Sequence, residues 1–268
     1  MLAKLIMKLD CVEELSYQMS SLFHGVLMEL LPADYAEVLH QSRLHPYAQH
    51  LEYADGKWYW VVSCLNEQAV NVIIHDTLEK LKTIEIKKQN ITISITQKEY
   101  KEIRHRDLMD RFYEENGDRY IQVHFVTPTA FKQQGKYSFY PDLRCIYQSL
   151  MNKYDSVLDD ESMVDEETLL QLYEHSEIIR YDLKSVYFHL EGTRIPSFIG
   201  KITIKLTGTQ TMTNFANLLF EFGTYSGVGI KTALGMGNIR LIEQNIKKEQ
   251  NVQKEQYVQK KQNRRERI

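Results

Sequence analysis

Gly223-Thr-Tyr-Ser-Gly-Val-Gly-Ile-Lys-Thr-Ala-Leu-Gly-Met-Gly-Asn238 holds five of the chain's twelve glycines. Glycine lacks a Cβ and tolerates positive φ, so such a run lets backbone N–H groups come close to an anion. Lys231 and the hydroxyls of Thr224, Ser226 and Thr232 stand among the glycines. The apolar run Phe215–Phe222 before the loop has helical character, and Gly237–Ile242 after it reads as a strand. A nucleotide P-loop is excluded. It needs Gly directly before Lys-Ser/Thr, after a strand and opening a helix, whereas Ile230 intervenes here and the elements run in the opposite order.

Working outward, the chain reads as one supersecondary unit written twice. Leu2–Leu9 alternates as a strand, and Ser16–Leu31 has helical apolar spacing ended by Pro32, with a short helix over Ala33–Gln41. Leu51–Asp55 and Lys57–Val62 form a hairpin around Asp55-Gly56. Glu67–Leu81 is helical, Thr83–Ile86 and Ile91–Ile95 are strands, and a charged stretch with a helix around Arg106–Tyr113 comes next. The second half repeats the order: strand 119–127, helices 142–154 and 166–175, strands 178–190 and 198–206, helix 213–222 and strand 236–242. The expectation is an α+β protein of tandem ferredoxin-like (RRM-like) domains, each β-α-β-β-α-β with an antiparallel sheet. The boundaries fall at 1–118, 119–243 and a basic polar tail, 244–268.

The formal net charge is −3, so no global basic field marks a nucleic-acid partner. The charge is segregated, however. Asp155, Asp159, Asp160, Glu161, Asp165, Glu166 and Glu167 crowd one linker without a Lys or Arg, while the tail is rich in Lys and Arg. An acidic insert can hide a locally basic cleft in a near-neutral sum. Cys11, Cys64 and Cys145 form no metal or disulfide pattern, which fits a cytoplasmic protein, and no apolar run reaches the length of a membrane span. The acidic clusters lack the glycine and alternation of a calcium loop, so neither metal nor cofactor is expected.

The loop pattern Gly-Val-Gly-x-Lys-Thr-x-Leu-Gly-Met-Gly-Asn resembles the signature of the CRISPR-associated repeat-processing endoribonucleases, the sixth-numbered Cas family of the RAMP superfamily. Phe125-Val-Thr-Pro-Thr-Ala-Phe-Lys132 and Ile195-Pro-Ser-Phe-Ile-Gly-Lys-Ile-Thr-Ile204 are similar to that family's mid-chain strand and the entry to its penultimate strand. The resemblance implies metal-independent cleavage of CRISPR repeat RNA by 2′-hydroxyl attack, leaving a 2′,3′-cyclic phosphate and a 5′-hydroxyl. It also implies an effector complex as a further partner and a monomer or homodimer. The alternative is a non-catalytic RAMP-type RNA-binding subunit of such a complex.

Metal-free RNA cleavage needs a base, an acid and stabilisation of phosphorane charge, and histidine titrates in the range for the first two. Four of the nine histidines fall in His24–His50. In Tyr35-Ala-Glu-Val-Leu-His-Gln-Ser-Arg-Leu-His-Pro-Tyr-Ala48, His40 matches the family's catalytic position, and Pro46-Tyr47 match the segment just downstream of it. The chain departs from some relatives in having Met28 where they carry tyrosine, and no lysine between His40 and Lys57. The catalytic candidates are therefore His40, His45 and Tyr47. The RNA-binding candidates are Arg43, Lys132, Lys136, Ser226, Gly227, Gly229, Lys231, Thr232 and Arg240, with Tyr137, Phe139 and Tyr140 as stacking surfaces. His24 lies among apolar positions and reads as a packing residue.

Overall fold

A computed structural model describes residues 1–157 and 165–242. Most of the acidic linker and the basic tail of the sequence analysis lie outside these residues. The first half comprises strand β1 (Leu2–Asp10), helices α1 (Ser20–Leu30) and α2 (Ala33–Gln41), the hairpin β2 (Tyr47–Ala54) and β3 (Lys57–Cys64), and α3 (Glu67–Ala69). The chain then winds as a π-helix over Val70–Leu78, followed by β4 (Thr83–Ile86) and β5 (Ile91–Ile103). The sheet order β2-β3-β1-β5-β4 is antiparallel throughout. Setting aside β4, which pairs only with β5 at the edge, it is the ferredoxin-like order. At the expected hairpin turn Asp55 and Gly56 have φ of 50° and 74°, the left-handed pair a tight hairpin requires.

After α4 (His105–Glu114) the second half runs β6 (Tyr120–Thr129), β7 (Phe131–Gln133), β8 (Lys136–Ser138), α5 (Leu143–Asp155), α6 (Glu166–Glu174), β9 (Ser176–Leu190), β10 (Thr193–Leu206), α7 (Gln210–Ser226) and β11 (Ile239–Leu241). Its antiparallel sheet has the order β11-β6-β10-β9, again ferredoxin-like. The small β7–β8 hairpin is an insertion that the periodicity did not announce. β1 lays Ala3, Leu5, Met7 and Leu9 into the first core, which α1 and the π-helical segment close with Phe23, Leu27, Ile73 and Ile74. The second core gathers Val123, Phe125, Ile146, Leu150, Phe220 and Phe222. Although α4 precedes residue 118, its Leu108 is buried in this second core.

Three of the elements that differ from the sequence reading do so for identifiable reasons. Glu67–Leu81 is not α-helical throughout: the Glu79 N–H bonds the Ile74 carbonyl, five residues back, and the Thr77 hydroxyl bonds the Val72 carbonyl. β5 extends to Ile103 because its charged residues sit on a paired strand with one exposed face. Helix α7 runs on to Ser226 and so takes in Gly223, where a Cβ would meet Leu150 Cδ2 at 2.7 Å. The first glycine of the quoted run is thus a helix-packing residue, and the last strand shortens to Ile239–Leu241.

Of the remaining glycines, Gly235 joins the two halves, while Gly229 and Gly237 seat the loop within the second. A Cβ on Gly229 would lie 2.4 Å from the Ala130 carbonyl oxygen, one on Gly237 2.0 Å from that of Val228, and one on Gly235 2.1 Å from Ser20 Cβ at the start of α1. Between these points the Ala233 carbonyl accepts from the buried Gln49 amide, which also donates to the Ser20 carbonyl and accepts from the Trp60 indole. Gly235→Ala meets both a steric clash and a φ of +104° and should cost about 3 kcal/mol. Gly135→Ala, at φ +80° in open space, should cost about 1 kcal/mol. Urea unfolding of both variants checks this, and equal losses would refute the assigned joint.

Candidate active site

The first half supplies a histidine cluster. His24 projects from α1, and its Nδ1 lies 2.9 Å from the Tyr47 hydroxyl at the start of β2. His45 sits just before that strand, its ring centroid 5.7 Å from that of Tyr47. His40 is exposed at the C-terminal turn of α2 and interacts electrostatically with both His24 and His45. Burial and the two neighbouring imidazoles push His24 down to about 4. Burial, then His40, lowers His45 below the ordinary imidazole range. The Nδ1 of His45 is buried without a partner, which leaves Nε2 as the nitrogen able to meet a ligand.

Beside this cluster a cleft of about 780 Å³ opens between the halves. Arg43 and His45 line one side, Lys132 of β7 and the loop residues Gly229, Lys231 and Thr232 another, and α5 contributes Arg144, Ser149 and Lys153. The cleft thus gathers five cationic side chains, and among the described residues lining it there is no carboxylate. Arg144 makes an ion pair with Glu166, outside the lining. Lys153 is 6% exposed, and its ammonium donates to the carbonyls of Ser226 and Gly227 and to Thr232 Oγ1, at 3.1–3.2 Å. Desolvation lowers it to about 7.

The structure brings together Arg43, His45, Lys132, Gly229, Lys231 and Thr232, and places His40 at the rim outside the lining. The other predicted residues stand elsewhere. Tyr47 is 1% exposed, a buried partner of His24 and not a cleft surface. Ser226 is likewise 1% exposed, with its hydroxyl turned to the Gly227 carbonyl, and Gly227 meets Lys153 through that carbonyl. Arg240 lies on β11 and is ion-paired with Glu52 of β2. Lys136 lines a separate depression of about 690 Å³ with Tyr137, Phe139 and Tyr140, adjoining the cleft at Gln133.

The row of open loop N–H groups is also corrected. Those of Gly227, Val228, Gly229, Ile230 and Gly237 are bonded within the protein. What the loop lends the cleft is the Thr232 side chain and the Lys231 cation. The residues that sequence reasoning missed, Ser149 and Lys153, are on α5. Lys153 occupies the stripe of Ile146 and Leu150, and a lysine at apolar spacing is the signal that could have found it. Among the described residues no three His, Cys, Asp or Glu side chains are grouped to hold a metal ion, and no helix is long and apolar enough to cross a membrane.

Comparison with known proteins establishes the family. The profile of the family described as "CRISPR-associated endoribonuclease Cas6" matches residues 123–239. A Streptococcus thermophilus protein named CRISPR-associated endoribonuclease Cas6 is 36% identical over 245 residues, 90% of this chain and 98% of that relative. The chain belongs to the Cas6 family. It is by that membership a CRISPR-associated endoribonuclease. A Cas6 from Mycobacterium tuberculosis is 32% identical over 81% of the chain and 70% of its own length. A solved structure titled "Cas6 (TTHA0078) product complex" superposes with a TM-score of 0.76 at 21% identity, covering 90% of this chain and 99% of that one. A "Cas6 (TTHA0078) substrate mimic complex" gives 0.69 at 20% identity, with the same coverage. These two bear on the fold, tandem ferredoxin-like units in an α+β chain.

The depressed His24 makes stability depend on pH. Between the folded value of about 4 and the ordinary imidazole value near 6.5, the unfolded chain binds more protons, so stability falls as pH drops through this window. The loss reaches roughly 3 kcal/mol. His24→Gln keeps a polar partner for Tyr47 without titrating there. Denaturation midpoints from pH 7 to pH 4 should fall less steeply in the variant; parallel curves would place the titration elsewhere.

Proposed function

We propose that this Cas6-family chain cuts CRISPR repeat RNA into guide-length units by metal-independent attack of a 2′-hydroxyl on the adjacent phosphate. The observation that carries the reading is the carboxylate-free cationic cleft beside three interacting histidines. A polyanion enters such a cleft without like-charge repulsion. Burial keeps His45 neutral at neutral pH, which suits it to take the 2′-hydroxyl proton. That leaves His40 to protonate the departing 5′-oxygen. Tyr47, held by His24, is a positioning residue behind His45. Lys231, Lys132 and Arg43 hold the phosphates flanking the cut. The adjoining depression with Phe139 and Tyr140, both exposed, offers aromatic faces for unpaired bases. The products would be a 2′,3′-cyclic phosphate and a 5′-hydroxyl, and the guide would pass to an effector complex.

The test is incubation of cognate repeat RNA with the protein in excess EDTA. Single-site cutting is expected. His40→Ala and His45→Ala should each lower the single-turnover rate by about 10²–10⁴-fold, with RNA binding retained. A repeat lacking the 2′-hydroxyl at the cut position should not be cleaved; cutting there would rule out 2′-hydroxyl attack. Binding without cutting by the unaltered protein would favour the non-catalytic RNA-binding subunit instead.

A further inference from the structure

A buried lysine normally has a carboxylate partner, because an isolated charge in a low-dielectric interior is costly. Among the described residues Lys153 has none: its hydrogen-bond partners there are two backbone carbonyls and the Thr232 hydroxyl. Among the described residues, the charged side chains lining the cleft with it are Arg43, Lys132, Arg144 and Lys231, all cations.

Two hydroxyls at this wall share one constraint. Thr232 Oγ1 accepts from the Lys153 ammonium at 3.2 Å. Ser149 Oγ, one turn earlier on α5, accepts from the Gly229 N–H at 2.8 Å. A hydroxyl has one hydrogen to donate, and when its oxygen already receives a donor it is set to give that hydrogen to something else. Both residues line the cleft. They present two O–H donors with a buried positive charge behind them, which is a set of groups that matches a phosphate oxygen and repels no anion.

We propose that Ser149, Thr232 and Lys153 form a receiving site for one phosphate of the RNA backbone, in which the two hydroxyls donate to the phosphate and the Lys153 charge, relayed through Thr232, is neutralised by it. Lys153 is a positioning residue here, since its three partners already occupy its hydrogens. The site deepens the proposed function and rests on RNA being the ligand. It assigns contacts to α5, from which the sequence motifs drew no candidate. It also explains why a lysine stands on an apolar stripe: its counter-charge arrives with the substrate.

The site carries a pH signature. Lys153, held at about 7 in the free protein, rises when a phosphate occupies the site, so binding takes up a proton and affinity falls as pH rises above 7. The other titratable groups at the cleft, His45, Cys145, Lys132 and Lys231, and His40 near His45, are common to the unaltered protein and Lys153→Met, so the difference between their pH slopes reads Lys153.

The experiment measures affinity at pH 7 and 8.5, at fixed salt, for repeat RNA lacking the 2′-hydroxyl at the cut position mapped with the unaltered protein. Thr232→Val and Ser149→Ala should each weaken binding about tenfold, and Thr232→Ser should restore it. Lys153→Met should weaken binding and flatten the pH dependence. Affinities for Thr232→Val and Ser149→Ala within twofold of the unaltered protein, or an unchanged pH slope in Lys153→Met, would overturn the site. If Lys153→Met does not fold, the two hydroxyl variants decide alone. If the unaltered protein cuts no repeat, unmodified RNA of scrambled sequence serves as the probe. The same pattern on that probe would keep the phosphate site while the cleavage reading falls.

Discussion

The architecture depends on how closely one stretch of backbone passes its neighbours. Gly229 lies against the Ala130 carbonyl, Gly237 against that of Val228, and Gly235 against Ser20, each at a separation that leaves no room for a Cβ. The Gly237 N–H bonds the Pro128 carbonyl and the Ile230 N–H that of Ala130, so the loop is laced onto the end of β6. At its middle, Ala233 is tied to Gln49 of β2. One short segment therefore belongs to the second sheet by its hydrogen bonds and to the first by its packing. The cleft exists where it does because this segment forms part of its wall. The histidines flank it because α1, which carries His24, begins at the residue Gly235 touches.

Electrostatics then separates binding from chemistry. The net charge of −3 would suggest no affinity for a polyanion, yet the described lining of the cleft carries cations only. Glu52 is paired with Arg240 and Glu221 with Arg111, neither in the lining, while Glu166 pairs with Arg144 from outside the cleft. Long-range steering by the whole molecule is weak under this arrangement, while the local field in the cleft stays strong because its walls exclude part of the solvent. The imidazoles lie at the margin of that field. Burial and neighbouring imidazoles lower His24 and His45, and the same desolvation lowers Lys153.

Much of this is legible in the sequence, and the remainder is hidden for physical reasons. The duplicated strand and helix order survives because each core face keeps its period, as in Ala3, Leu5, Met7 and Leu9. The Asp55-Gly56 turn is local chemistry and reads directly. The glycine run is ambiguous in kind, since absence of a Cβ serves an anion and a neighbouring backbone equally well. The deciding partners, Pro128, Ala130 and Ser20, are remote in sequence. The same holds for Ser226 and Arg240: their types suit RNA, but burial of one and the Glu52 partner of the other are tertiary facts. Tyr47 stands out by its place after Pro46, and only the packed structure reveals that its phenol meets His24. Lys153 is visible as a lysine on an apolar stripe, but without its partners it reads as ordinary helix surface.

The division of labour between halves has a consequence for how the site can fail. The imidazoles come from α1, α2 and the approach to β2, whereas all the lining cations except Arg43 come from β7, α5 and the loop. Proton transfer tolerates little misplacement, because its groups must come within hydrogen-bond reach of the reacting oxygens. Phosphate attraction by several cations is far more forgiving, since it falls off gradually with distance. On the proposed roles, a change that loosens the Gly235–Ser20 or Ala233–Gln49 joint would therefore shift imidazoles relative to phosphate before it removed the charge proposed to hold the RNA. On that proposal the glycine loop serves catalysis as the part that holds these two sets of groups at a fixed separation, in addition to any contact its own residues make.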